Sequence, residues 1–295
     1  MLPIALALLK TMRPKQWAKN GFLFVAITFD RQLTHIPALA RTLAGLVLFC
    51  LLSSVVYIVN DLVDLEADRQ HPKKRNRPLP SGKLPVPVAI TAAVVILLAA
   101  LPTAFLLSRS FGLIALGYLL LNLTYSKWLK HIAILDVLVL ATFYVLRVSA
   151  GVELIVVTTF SPWLYIFTIF LALFLGVGKR RAELNLLAEA ANSHRPVLGG
   201  YTLPLLDQLM TIVSSMTIIT YSLYTFSAEN LPDNHVMMLT IPFVIYGIFR
   251  YLYLVQVEHS GGAPEEVLFS DHPMQITLFF MGLAVLVIFY LFHKP

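Results

Sequence analysis

The run Asn60-Asp61-Leu62-Val63-Asp64-Leu65-Glu66-Ala67-Asp68 continues directly out of an apolar stretch. At about 100° per residue, Asn60, Asp64 and Asp68 step by four and share a sector of about 80°, with Asp61 about 40° beyond its Asp68 edge and Glu66 facing away. Carboxylates stacked on one side of a helix repel unless a cation sits among them, and an all-oxygen set suits Mg²⁺ rather than zinc. Mg²⁺ in turn shares its shell with phosphate oxygens. Asn60, Asp61, Asp64 and Asp68 are therefore candidate metal ligands, with Asp64 and Asp68 as the catalytic pair. The alternative is a solvated acidic helix end paired with the basic loop after it. Zinc chemistry has little support, because the eight histidines form no H-x-x-x-H pair and Cys50 is the only cysteine.

That basic loop is Lys73-Lys74-Arg75-Asn76-Arg77-Pro78-Leu79-Pro80-Ser81-Gly82. Proline and glycine end the helix there and fold the cations back. Arg77, beside a rigid Pro-Leu-Pro turn, is the better placed phosphate ligand, since guanidinium groups grip phosphate bidentately. Lys73 and Lys83 read as ordinary surface charge. Farther along, Asp136 and Arg147 fall within about 20° of one helix face but about 16 Å apart along it, so they do not pair directly. A charge as deep as Arg147 turns inward to a partner, on another helix or on a substrate.

The elements that hold these groups are set by their solvent. Of 295 residues, 58% are hydrophobic and 13% charged, with a mean hydropathy of +0.78; about a quarter charged is usual for a soluble domain. An ordinary soluble protein, a disordered chain and a disulfide scaffold are excluded. Apolar segments recur at 21–37, 41–59, 86–107, 111–124, 132–152, 161–178, 205–227, 236–256 and 274–292, near the ~20 residues a helix needs to cross ~30 Å of hydrocarbon. The pattern predicts an all-α, polytopic membrane protein of about nine transmembrane helices. The weakest spans are 21–37, which Asp30 and Arg31 interrupt, and the short 111–124.

With nine spans and a cytoplasmic N-terminus, sixteen Lys and Arg residues fall in cytoplasmic segments and four outside, with Arg147 and Arg250 inside spans. That bias sets the orientation. The formal charge of +6 is thus a cytoplasmic-face field suited to anionic headgroups and phosphorylated substrates, not a nucleic-acid footprint. Residues 1–20 read as an interfacial amphipathic segment rather than a cleaved signal, and 1–295 as a single transmembrane domain.

N-D-x-x-D-x-x-x-D followed by R-x-R-P-L-P-S-G after the second of nine helices resembles the UbiA superfamily of intramembrane prenyltransferases, over nearly the whole chain. The resemblance implies a helical bundle around a central cavity opening to the cytoplasmic face. It also implies Mg²⁺ and a diphosphate at the mouth, and a lipid chain in a groove open to the bilayer. Members that prenylate aromatic rings typically carry a second motif, D-x-x-x-D, after the sixth helix. Here that segment is Gly178-Lys179-Arg180-Arg181-Ala182-Glu183-Leu184. Exchanging two carboxylates for three cations and one Glu weakens a second Mg²⁺ site and favours direct phosphate contact.

The variant looks like the branch of decaprenyl-phosphate phosphoribosyltransferases, which join ribose 5-phosphate from phosphoribosyl pyrophosphate (PRPP) to a polyprenyl phosphate. Arg13-Pro14-Lys15-Gln16-Trp17-x-Lys19-Asn20, Tyr125-Ser126 with Leu129-Lys130-His131 and Asp136, Leu146-Arg147-x-x-Ala150-Gly151, and the loop from Gly261 through Asp271 support it. On that reading Mg²⁺ at Asn60, Asp61, Asp64 and Asp68 holds the pyrophosphate. Lys15, Lys19, Arg75, Arg77, Lys130, Arg147, Lys179 and Arg180 are substrate-binding cations. Asn60 and Tyr125 also bind substrate, and Glu183 takes a ribose hydroxyl or completes the metal shell. A polyprenyl phosphate oxygen is already anionic near pH 7, so no general base is assigned. The expected setting is the plasma (inner) membrane with the site on its cytoplasmic side; whether copies associate, and what the loop 258–273 does, stay open. The alternative function is alkylation of an aromatic or quinone precursor by a polyprenyl diphosphate. A transporter is disfavoured because charge gathers on one face.

Overall fold

The computed structural model describes residues 2–70, 74–157, 161–189, 196–229, 231–232, 234–258, 267 and 270–291. Among them every regular element is helical. The eleven α-helices are α1 (Leu2–Thr11), α2 (Phe24–Phe29), α3 (Ile36–Val63), α4 (Leu65–Gln70), α5 (Val86–Leu107), α6 (Arg109–Lys127), α7 (Leu135–Val152), α8 (Pro162–Glu189), α9 (Leu203–Ser227), α10 (Ile241–Gln256) and α11 (His272–Leu291). Contacts divide the chain into two compact units, Met1–Lys127 with Leu146–Val156, and Trp128–Val145 with Val157–Pro295.

Seven of the described helices are long and apolar enough to cross a membrane, against about nine expected. The two segments that fall short are 21–37 and 111–124. Residues Pro14–Leu23 form a 3₁₀ helix, α2 has only six residues, and a turn at Asp30–Arg31 follows with Arg31 at φ 58°. In α6, Asn122, Thr124, Tyr125, Ser126 and Lys127 crowd the last turns and lower its mean hydropathy. Neither segment has to meet lipid all round, because each lies along α3.

In the first unit, Arg13 pairs with Asp61 near the end of α3. Trp17 then donates to Ser54 at 3.0 Å and Asn20 to Ser53 and Cys50 at 3.3 Å each, so the 3₁₀ segment runs antiparallel down α3. Helix α6 follows α3 in parallel: Arg41 reaches the Leu107 carbonyl, Phe49 packs on Phe111 and Tyr118, and Ser126 bonds Asn60. Polar residues inside α3 bond its own backbone, Thr42 to the Ala38 carbonyl and Ser53 and Ser54 to that of Cys50, as a low-dielectric setting demands.

Gly151 closes this packing. A Cβ there would stand 2.2 Å from the Leu23 carbonyl oxygen, and backbone cannot step aside as a side chain can. Gly151→Ala is expected to destabilise the protein by about 1–3 kcal/mol, read as a lowered melting temperature in detergent.

In the second unit α8 and α9 pack as neighbours, and Phe167–Tyr221 and Phe174–Tyr251 contacts tie them to α10 and to each other. Tyr221 shares a 2.6 Å hydrogen bond with Thr240. Helix α8 has 28 residues, about 42 Å at 1.5 Å each. That exceeds the ~30 Å hydrocarbon core, so one end of it reaches past the apolar layer.

Candidate functional site

Helix α3 stops at Val63 and α4 begins at Leu65, with Asp64 between them at φ −89°, ψ 9°. The backbone bonds Asp64 N–H to the Asn60 carbonyl and Asp68 N–H to the Asp64 carbonyl persist across the break, but the faces no longer follow one helical wheel. Asp61, expected at the edge of the acidic sector, is central: it is 3% exposed and Asp68 is 1% exposed. Asp64 is half-buried and Asn60 accepts from Ser126 at 2.8 Å. Glu66 stays outside, paired with Arg69.

Both buried carboxylates converge on one guanidinium nitrogen. Arg77 Nη1 lies 3.2 Å from Asp61 and 2.7 Å from Asp68. Arg13 adds a 2.5 Å pair to Asp61 and stacks 4.8 Å above the Tyr57 ring, and Lys74 lies 3.3 Å from Asp68. Arg77 is aimed by the turn after it: Ser81 N–H bonds the Arg77 carbonyl, Leu84 N–H that of Pro78, and Gly82 sits at φ 76°, where glycine is at ease. Leu79 and Leu84, each 1% exposed, pin the turn into a cluster with Ala7, Val55, Ile58 and Ala89.

Lys74 and Arg77 thus make the acid-to-loop pairs that the solvated-end alternative expects. Unlike a solvated end, however, the carboxylates are desolvated. Among the described residues no three acidic, histidine or cysteine side chains gather as a metal cage. Mg²⁺ is commonly held by one or two carboxylates with phosphate oxygens and water completing six, so two buried carboxylates focused on one cationic point fit that ion.

In the second unit, Asp136 and Arg180 are 0% and 1% exposed. Arg180 Nε donates to Asp136 Oδ2 at 2.6 Å and its Nη1 to Glu183 Oε2 at 2.5 Å. Tyr201 donates to Asp136 Oδ1 at 2.5 Å and accepts from Ile134 N–H at 2.6 Å. Burial first, and then the bond to Asp136, raises the Tyr201 phenol well above its ordinary range, so it remains a donor at any working pH. Arg180, expected as a phosphate ligand, is instead built into a buried network. Arg181 is structural too, on Asp207 and the Val255 carbonyl.

Arg147, buried in the first unit, donates to Asn20 at 2.8 Å and to Tyr118 Oη at 3.1 Å, and lies over the Tyr118 ring. Its observed partners are thus other segments of the chain. Tyr125 is half-buried next to Ser126, Lys130 and Lys179 are half-buried, Lys19 is half-buried on the 3₁₀ segment, and Lys15 and Arg75 are exposed. Arg250 grips Asp271 through two nitrogens and pairs with Glu258. The first of these bonds holds the Asp271 carboxyl below the usual range. Lys73 and residues 261–266 lie outside the described residues.

Tyr201 carries no signal of a site residue in the sequence: a lone tyrosine after Gly199-Gly200 has no spacing that links it to Asp136. In the sequence Arg13 stands out as part of the segment 13–20 and Lys74 as basic charge, and neither is marked as a partner of the acidic run.

A sequence model of the UbiA prenyltransferase family matches residues 22–269. The chain belongs to the UbiA prenyltransferase family. It is a membrane-embedded, multi-pass transferase of that family. It is similar to a decaprenyl-phosphate phosphoribosyltransferase of Mycobacterium tuberculosis, 32% identical over 276 residues, 90% of this chain and 89% of that protein. A protein of the same name from Corynebacterium glutamicum is 32% identical over 92% of this chain and 83% of its own length. A UbiA homologue of Archaeoglobus fulgidus, solved bound to DMAPP and Mg²⁺, superposes with a TM-score of 0.71 at 21% identity, covering 96% of this chain and 98% of that one. At that identity the likeness carries the UbiA fold alone.

Proposed function

We propose that this UbiA-family transferase moves 5-phosphoribosyl from PRPP to a polyprenyl phosphate, releasing pyrophosphate, at the cytoplasmic side of the plasma (inner) membrane. Nine passes are proposed, counting the segment 21–37 and α6. The observation that carries the choice of donor is the segment 178–184. In place of a second acid pair it has one Glu, tied to Arg180 in a buried network with Asp136, which weakens a second Mg²⁺ site and leaves the neighbouring half-buried Lys179 as the segment's cation for an added phosphate. The similarity to phosphoribosyltransferases over about nine-tenths of both chains supports the same reading.

Asp61 and Asp68, with Asn60 and Asp64 beside them, would hold Mg²⁺, which when bound neutralises charge on a departing pyrophosphate. Arg77, Arg13 and Lys74 already meet these carboxylates, so they stand where pyrophosphate oxygens need cations. The bond from ribose C1 to pyrophosphate breaks with its electron pair going to pyrophosphate. A phosphate oxygen of the lipid bonds C1, and no proton has to move.

The test uses purified protein, labelled PRPP, polyprenyl phosphate and Mg²⁺. Pyrophosphate release should require both substrates, stop with a chelator and return with Mg²⁺. Consumption of a polyprenyl diphosphate with a phenolic acid, indifferent to PRPP, would assign the alternative. Turnover untouched by chelation would remove the metal.

A further inference from the structure

Tyr201 stands where two unusual features meet. Ile134, a β-branched residue, sits at φ 70°, a conformation uncommon outside Gly, Asn and Asp and a genuine outlier for this side chain. Its N–H is taken up by the Tyr201 phenol oxygen at 2.6 Å, while the phenol proton goes to Asp136 Oδ1 at 2.5 Å. The other oxygen of Asp136 accepts from Arg180, and Arg180 reaches on to Glu183. The backbone before the phenol is seated tightly as well: a Cβ on Gly200 would come within 2.8 Å of the Ala133 Cβ.

The chain of bonds is directional. With one oxygen of Asp136 held by the phenol, the other is fixed in orientation for Arg180 Nε. Arg180 is buried, so it cannot settle into a hydrated alternative. Of the linked side chains Glu183 is the most open, 23% exposed, and its carboxylate is set by Arg180 Nη1.

We infer that Tyr201 is a positioning residue, which through Asp136 and Arg180 sets the Glu183 carboxylate for the phosphoribosyl donor. This rests on the proposed PRPP reaction. The strained turn at Ile134 is met by the same phenol, so one oxygen atom links the entry to α7 with Asp136 and, through it, with Arg180.

The experiment compares wild type, Tyr201→Phe, Ile134→Gly/Tyr201→Phe and Thr202→Ala in one PRPP assay. Tyr201→Phe should lower kcat/KM for PRPP by on the order of ten- to a hundredfold and leave KM for the lipid phosphate within about twofold. Glycine accepts positive φ, so the double variant should recover melting temperature without recovering PRPP kcat/KM. Thr202→Ala, which removes the cap that accepts from Leu205 N–H, should lower the melting temperature only. Recovery of PRPP kcat/KM in the double variant, or an unchanged value in Tyr201→Phe, overturns the positioning role while wild type remains active. Wild type inactive with PRPP overturns the donor assignment instead.

Discussion

Asp61→Asn is expected to reduce PRPP-dependent pyrophosphate release by on the order of a thousandfold or more, with the protein still folded. The asymmetry comes from exposure. Asp61 is 3% exposed, whereas its partners Arg13 and Arg77 are 30% and 34% exposed, so both guanidinium groups can find water when the carboxylate is neutralised. The stability loss therefore stays well below that of breaking a fully buried pair. The loss of function does not shrink in the same way, because one of two buried carboxylates facing Arg77 Nη1 is gone and a hard cation keeps Asp68 as its one buried anionic ligand, with only the half-buried Asp64 beside it. Asp68→Asn should behave alike. Glu66→Gln is the control: its carboxylate is 77% exposed on Arg69, and turnover should stay within about threefold with stability changed by no more than about 0.5 kcal/mol. Steady-state turnover and Mg²⁺ titration calorimetry on the variants check this. Full turnover in Asp61→Asn would take that side chain out of the site, leaving the solvated-end reading for the motif.

That Asp61 outranks Asp64 in burial was not legible in the sequence. Spacing by four groups Asn60, Asp64 and Asp68 only if the helix is unbroken, and the break falls on Asp64 itself. What ends α3 is not a glycine or proline at that position but the tertiary seat of the next turn, where Asp68 is drawn inward to Arg77 and Lys74. The basic loop was legible for the opposite reason: Pro78, Pro80 and Gly82 fix its course locally, and Arg77 ends where such a turn puts it. The helical class follows from apolar composition and was visible throughout. The two marginal spans were visible as weak and no further, since polar residues in 14–32 and α6 are tolerated through contacts with α3, and such contacts join positions dozens of residues apart.

The same limit hid the pairing of Asp136 with Arg180. A helical wheel could show that Asp136 does not meet Arg147, but not that it meets a residue forty-four positions on. The burial of this pair gives the second large prediction. Asp136→Ala should destabilise the protein by about 3–5 kcal/mol, because Arg180, 1% exposed, would keep its charge with a principal partner removed. Arg180→Met should be costly for the converse reason, leaving Asp136 to Tyr201 alone. Replacing both, as Asp136→Leu/Arg180→Met, removes the charges together, and buried pairs exchanged for apolar groups of similar volume are often neutral in stability. The double variant should therefore recover part of the melting temperature lost by either single change, the Tyr201 phenol still lacking its acceptor. Its PRPP turnover should stay depressed by at least about a hundredfold, since Glu183 has lost the guanidinium that orients it. Recovery of both stability and turnover would make the pair a packing feature only. Recovery of stability alone separates what Asp136 and Arg180 do for the fold from what they do for the reaction.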